Sequence, residues 1–411
     1  MSRTNAVPPM GRILDALRAR AAAGDRPRTL LVVCPNSRAV IDAAVHAAAR
    51  NAAPLAFTAT LNQVDTDGGY TGMTHPELVA AVRERVRAVG FDGPTSLAID
   101  HGGPFLKDRH RIEGWSRERA LAGVRASFEA AIRAGFDLIH VDCTADPDSP
   151  EGAAVPVPVV AERTVDLIVH AETFRCGEGF SPVAYEVGTE EAGGGLTDPD
   201  AFRDFLGRVR DGLAARGLAE IRPAFAVGTV GTDLHTAVFD RAAAARLSAV
   251  AGEFGCGLKG HYTDNVENPE AYPAAGVAAA NVGPEFSERE YEGLMALAAA
   301  ESVAAEAGRR SGIRAALGRA VVDSGRWRKW LLPDERGRDF EALSPARRAW
   351  LTRTGARYVW TAPEVVRARK RLRENLRSPG RDPETEVRMA IERSMDRYFR
   401  AFGLRGANRW I

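Results

Sequence analysis

The strongest constraint in this sequence is an alternation. Short apolar runs recur at residues 30–34, 55–58, 97–99, 138–141, 184–187, 224–227, 257–259 and 278–282, each ending in polar residues or glycine. Between most of them lies a helical pattern, at 37–50, 75–89, 116–134, 159–175, 198–216 and 240–254. Continuous apolar runs of this length read as strands buried on both faces, which is the signature of a parallel sheet. Eight strand–helix units within about 260 residues predict an α/β fold closed as a (β/α)8 TIM barrel. The competitor is an open doubly wound sheet, but no GxGxxG follows the first strand, and eight strands fit closure better.

An alanine-rich amphipathic helix over 10–26 precedes the barrel, and another over 290–307 closes the cycle. Beyond it the patterns are helical only, broken at Pro333, Pro345, Pro363 and Pro379. The expected division is an N-terminal helix (1–28), a barrel (29–307) and a C-terminal helical extension (308–411). That extension would pack on the barrel or on a second subunit, so a homo-oligomer is one expectation.

Charge is divided along the chain. Residues 1–300 carry 29 Lys+Arg against 40 Asp+Glu, and residues 301–411 carry 26 against 14. A basic tail raises the question of nucleic acid. Its arginines alternate with acids along helical patterns, without the aromatic interleaving of single-strand binders, so a solvated or docked helical face is expected instead. Four scattered cysteines with no CxxC pair point to a reducing, cytoplasmic setting. No apolar run approaches the roughly 18 residues of a membrane span, and residues 1–12 lack a signal core.

The C-terminal strand ends of such a barrel share one mouth. Collected in order, they give Cys34-Pro35-Asn36; Asn62-Gln63; Asp100-His101; His140, Asp142 and Cys143; Glu186 with Glu190; Thr229, then Asp233 and His235; Lys259, His261, Asp264 and Asn265; and Asn281 with Glu285. The run 96–99 delivers Asp100-His101 into Gly102-Gly103-Pro104. Two histidines (His101, His261) with one or more of Glu186, Glu190 and Asp142 make a divalent-metal set suited to Zn²⁺ or Mn²⁺. His140 and Glu186 stand one residue inside their strands and read equally well as core polar groups. Adjacent strand residues face opposite ways, so Asp100 and His101 both reach the mouth only if the backbone turns there.

Several blocks resemble a known family. Leu61-Asn62-Gln63-Val64 with Gly68-Gly69-Tyr70-Thr71-Gly72-Met73-Thr74 is similar to a signature of the tagatose-bisphosphate aldolase "non-catalytic subunit" family, whose related members include ketose-phosphate 4-epimerases. Further blocks follow in order: Asp100-His101-x-Gly103-Pro104, Ala134-Gly135-Phe136 through His140-x-Asp142-Cys143, Gly188-Thr189-Glu190, His261-x-Thr263-Asp264, Val282-Gly283-Pro284 and Arg357-Tyr358-x-Trp360.

The resemblance implies a class II aldolase-type barrel with a divalent metal. It implies that His101 and His261 are metal ligands, with Glu190 or Glu186 as a further ligand and Asp100 as the acid/base. Asp142 and Glu190 are further candidate catalytic groups. Asn62, Gln63, Asp264, Asn265 and Asn281 would hold sugar hydroxyls, and a phosphate would rest on residues 193–195 or near Lys107 and Lys259. Local departures, such as Thr189-Glu190-Glu191-Ala192-Gly193-Gly194-Gly195 in place of a proline-containing block, leave the sugar open. The expected activity is metal-dependent C4 epimerisation of a ketose or ketose phosphate through retro-aldol chemistry. The alternative is a helper that stabilises an aldolase catalytic subunit. Neither a P-loop nor a kinase signature is present.

Overall fold

The computed structural model describes residues 7–148, 154–188, 196–233 and 235–411. Eight parallel strands close a barrel in sequence order: β1 (Leu30–Val33), β2 (Leu55–Thr60), β3 (Thr95–Gly102), β4 (Leu138–Val141), β5 (Ala184–Gly188), β6 (Phe225–Val227), β7 (Gly257–Gly260) and β8 (Ala279–Val282). Closure runs through β8 and β1, with Val32 opposite Asn281. Helices Arg38–Asn51, His75–Val89, Arg117–Ala134, Val157–Glu178, Pro199–Ala215, Arg241–Glu253 and Pro284–Ala304 form the outer ring.

The helix Pro9–Ala22 buries Met10, Ile13, Leu14 and Leu17, an i, i+3, i+4, i+7 stripe, and packs against β3. The last barrel helix begins at Pro284, earlier than the alanine-rich pattern at 290–307 announces. Proline's fixed φ suits the first turn of a helix, and Glu285 there faces the positive end of the dipole. The Glu285 side chain belongs to that helix start rather than to a strand end.

The C-terminal helix Pro383–Ala401 lies against Arg38–Asn51 and Pro284–Ala304, the two helices flanking the β8–β1 closure. Basic side chains of the extension meet acids: Arg369 lies on the preceding helix, Pro363–Leu376, and Arg388 and Glu392 share the helix Pro383–Ala401. Arg369 bridges Glu290 (2.5 Å) and Glu384 (2.6 Å), and Arg388 pairs with Glu392. The Phe402 carbonyl accepts from the Thr29 amide at 3.2 Å, tying the end of the extension to the start of β1.

Candidate active site

Strand periodicity selects which polar residues enter the mouth. His140 and Asp142 are two apart on and just beyond β4, as are Lys259 and His261 on and beyond β7, so each pair shares a face. On β3 the register slips: Ile99 pairs with Ile139 and Gly102 with Val141, which places one extra residue in β3. His101 takes φ +46° at this bulge. The bulge re-aims one side chain, and so Asp100 and His101, adjacent in sequence, both reach the polar cluster. Gly102 and Gly103 make the bend fit. A Cβ at Gly103 would lie 1.4 Å from the Asp142 carbonyl oxygen, and one at Gly102 would lie 2.6 Å from that of His140.

Four donors converge. Asp100, His140, Glu186 and His261 each bring one ligand atom to a set lying within 4.8 Å of one another, and all four are buried. His140 Nδ1 is 3.2 Å from Asp100 Oδ1 and 3.6 Å from Glu186 Oε1. His261 Nε2 is 3.2 Å from Glu186 Oε1 and 3.7 Å from Asp100 Oδ1. The His101 ring completes a triangle of imidazoles, with centroids 4.8 Å from His261 and 5.2 Å from His140, while His140 and His261 are 5.4 Å apart. Imidazoles that share one ion at M–N bonds of about 2.1 Å stand about 5 Å apart at their centroids.

The surroundings set the charge. Glu186 Oε2 accepts from Lys259 Nζ at 2.6 Å, with neither side chain exposed. Asp142 Oδ2 is 2.7 Å from His101 Nδ1, and Asp142 Oδ1 accepts from the Thr144 amide and hydroxyl. Asp100 Oδ2 accepts from Asn281 Nδ2 at 3.2 Å. Burial alone would raise these carboxyls. Lys259, His140 and His261 instead hold Glu186 down at about 2, and the His101 hydrogen bond and charge hold Asp142 at about 2. Asp100 is likewise held well below the usual carboxylate range against its burial, by the charges of His101 and His261, the His140 hydrogen bond and the charge of Lys259.

The donor set fits a divalent cation. Among the described residues, three carboxylates, one ammonium and the His140 and His261 imidazoles are buried together, where unpaired charge is costly. His140 Nδ1 stands 3.1 Å from the His101 amide nitrogen and within 3.6 Å of one oxygen each of Asp100 and Glu186. Moreover, His140 Nε2 and Asn281 Oδ1 are buried without a hydrogen-bond partner. Imidazole with carboxylate is the chemistry of Zn²⁺ and Mn²⁺ sites.

The remaining expected residues fall into two groups. Asp264 is buried against the turn after β8, where its Oδ1 accepts from the Gly283 and Glu285 amides at 2.9 and 2.7 Å, and burial and the Glu285 charge raise it to about 7. Gln63 donates to Asn36 Oδ1, and its Oε1 accepts from the Thr60 amide. The others serve loop structure. Asn62 pins Leu106 and Asp108, the Asn265 amide donates to Glu285, and Lys107 Nζ pairs with Asp65 and Asp67 at 2.6 and 2.8 Å. Glu190 and residues 193–195 lie outside the described residues. His140, left open between core and site by the sequence, stands inside the cluster; its i, i+2 relation to Asp142 was the available signal.

A family model described as D-tagatose-1,6-bisphosphate aldolase subunit GatZ/KbaZ-like matches residues 14–396. The crystal structure of a probable tagatose 6 phosphate kinase from Sinorhizobium meliloti 1021 is similar, with a TM-score of 0.75 and 24% identity over 91% of this chain and 100% of that one. Fructose-bisphosphate aldolase (Fba) from Campylobacter jejuni aligns with a TM-score of 0.57 and 10% identity over 97% of this chain and 96% of that one. At these identities the two structures speak for the barrel, whereas the family match spans nearly the whole sequence. The chain belongs to the D-tagatose-1,6-bisphosphate aldolase subunit GatZ/KbaZ-like family.

Proposed function

We propose that the protein is a divalent-metal-dependent epimerase acting at C4 of a ketose or ketose phosphate by retro-aldol and aldol steps. The observation that carries this reading is the position of Asp100, a buried carboxylate within 3.2 to 3.7 Å of two of the three clustered imidazoles. In this reading His101 (through Nε2), His140, His261 and Glu186 hold the ion. When bound, it supplies Lewis-acid stabilisation of the negative charge that develops beside a ketose carbonyl as the C3–C4 bond breaks.

The chain's own groups do the rest. Asp100 takes the proton of the C4 hydroxyl as C4 becomes a carbonyl and the bonding pair passes to the C2–C3 fragment. Asn281 Nδ2 holds Asp100 in place through its second oxygen. Asp142 fixes the His101 ring by its Nδ1, the role carboxylates take behind metal-bound imidazoles. Lys259 neutralises one oxygen of Glu186. If the aldehyde fragment turns its other face before the bond reforms, and Asp100 returns the proton, the product is the C4 epimer.

The family description as an aldolase subunit favours a second reading, in which the chain stabilises a separate aldolase and does no chemistry itself. One NMR time course separates the two. The purified chain with Zn²⁺ or Mn²⁺ is given a panel of ketohexoses and their 6-phosphates. Epimer resonances, abolished by chelator or by His261→Ala, support the epimerase. Triose products point to an aldolase. No turnover by metal-loaded protein on any sugar rejects the epimerase and leaves the helper.

A further inference from the structure

Both lysines offered by the sequence for a phosphate are already matched by carboxylates, Lys107 by Asp65 and Asp67 and Lys259 by Glu186. Arg357 is not. It lies in a 3-10 turn, Ala356–Tyr358, and is 5% exposed. Its Nη1 donates to the Thr354 carbonyl at 2.9 Å and its Nη2 to the Tyr358 hydroxyl at 3.0 Å. No carboxylate among the described residues pairs with it. Its guanidinium lies 4.7 Å from the Tyr358 ring centroid and 5.1 Å from that of Trp330. Aromatic faces recover only part of what burying a cation costs. Three of its five N–H donors remain for an oxyanion, in the planar fork that binds carboxylate or phosphate through two bonds.

The turn stands at the rim of the barrel mouth. Tyr358 meets the Tyr70 ring edge-on at 5.1 Å, and Tyr70 donates to Asn36 Oδ1 at 2.8 Å, just past the end of β1. The Arg357 charge acts on Cys34, which also feels Asp100, and Asp264 in turn acts on Arg357. A second guanidinium, Arg326, lies 5.1 Å from the same Tyr358 ring and adds to the positive field, although it is 3.7 Å from Asp108.

We propose that Arg357 binds the charged end of the substrate, a terminal phosphate or carboxylate on a ketose whose carbonyl end lies at the imidazole cluster. The assignment rests on the ketose reading above, but its test reads binding and not turnover. The full chain is titrated by calorimetry with a ketohexose, its 6-phosphate, the corresponding C6 carboxylate and inorganic phosphate.

The expected result is that one of the charged ketoses binds wild type at least about tenfold more tightly than the neutral sugar. Arg357→Met should erase that preference without weakening the neutral sugar more than about twofold, and Arg357→Lys should keep part of it. Whether the phosphate or the carboxylate is favoured identifies the anion. Equal affinities of wild type for neutral and charged sugars, absence of binding by every anionic probe, or a preference that survives Arg357→Met overturns the assignment. If Arg357→Met fails to fold, Arg357→Lys decides: a preference undiminished from wild type overturns the assignment. A protein that shows the Arg357-dependent preference but no turnover would keep the subsite and reject the epimerase.

Discussion

Lys259 Nζ lies 2.6 Å from Glu186 Oε2 in the barrel interior, and neither side chain is exposed to solvent. The pair joins β7 to β5, and the other oxygen of Glu186 faces His261 Nε2 at 3.2 Å. Removing one partner of a buried pair strands the other charge, which costs about 3 to 5 kcal/mol. Lys259→Met should therefore lower the stability of the chelator-treated protein by that order in urea unfolding. Lys259→Met with Glu186→Gln should recover at least half of the loss. An unchanged midpoint in the single variant would show that the ammonium is dispensable to the fold.

Asp142 tests the metal centre from behind. It does not point into the set of four donors but holds His101 by Nδ1 at 2.7 Å. Loss of a carboxylate behind a metal-bound imidazole weakens binding by about 10- to 100-fold. Asp142→Asn should show that loss in a competition titration with a chromogenic chelator. Affinity equal to wild type would remove His101 from the ligand set.

Asp100→Asn separates proton transfer from metal binding. In the proposed arrangement the ion is held by the imidazoles and Glu186, so the variant should retain metal in elemental analysis. Its turnover should fall by about 10²- to 10⁴-fold, the usual contribution of a positioned acid/base. Full activity would take Asp100 out of the mechanism, and loss of metal with loss of activity would make it a ligand.

The barrel was legible because burial on both faces writes strands as apolar runs, and β4 spans Leu138–Val141 as that pattern indicated. The mouth was legible in part. His261 and Glu186 follow from counting along a strand from its glycine-marked end. His101 was placed at the mouth on the condition that the backbone turns before Gly102-Gly103; the form of that turn, a bulge with a left-handed φ at a residue other than glycine, was not readable, because it is set by β4 packing against Gly102 and Gly103. Arg357 was visible only as part of a motif. Its lack of a counter-charge emerges when the extension folds back over the mouth, and no local pattern records which arginines of a basic segment meet acids and which do not.

At the opposite end of the barrel, Asp137 gives a pH prediction free of the metal centre. It precedes β4, is 7% exposed, and accepts from the Ser96 hydroxyl at 2.5 Å. Burial raises it to about 7, only partly offset by that hydrogen bond and by the Arg12 charge. An unfolded Asp titrates near about 3.9. The native state thus keeps a proton that the unfolded chain gives up, and stability present below about pH 4 is lost as pH rises through about 7. Asp137→Asn keeps the shape of the neutral acid and cannot ionise. Relative to wild type, the variant should gain on the order of 2 to 4 kcal/mol between pH 4.5 and pH 8 in urea unfolding. The contribution of Asp264, also raised to about 7, cancels in that difference. Parallel stability curves for the two proteins across this range would show that Asp137 is ionised in the native barrel.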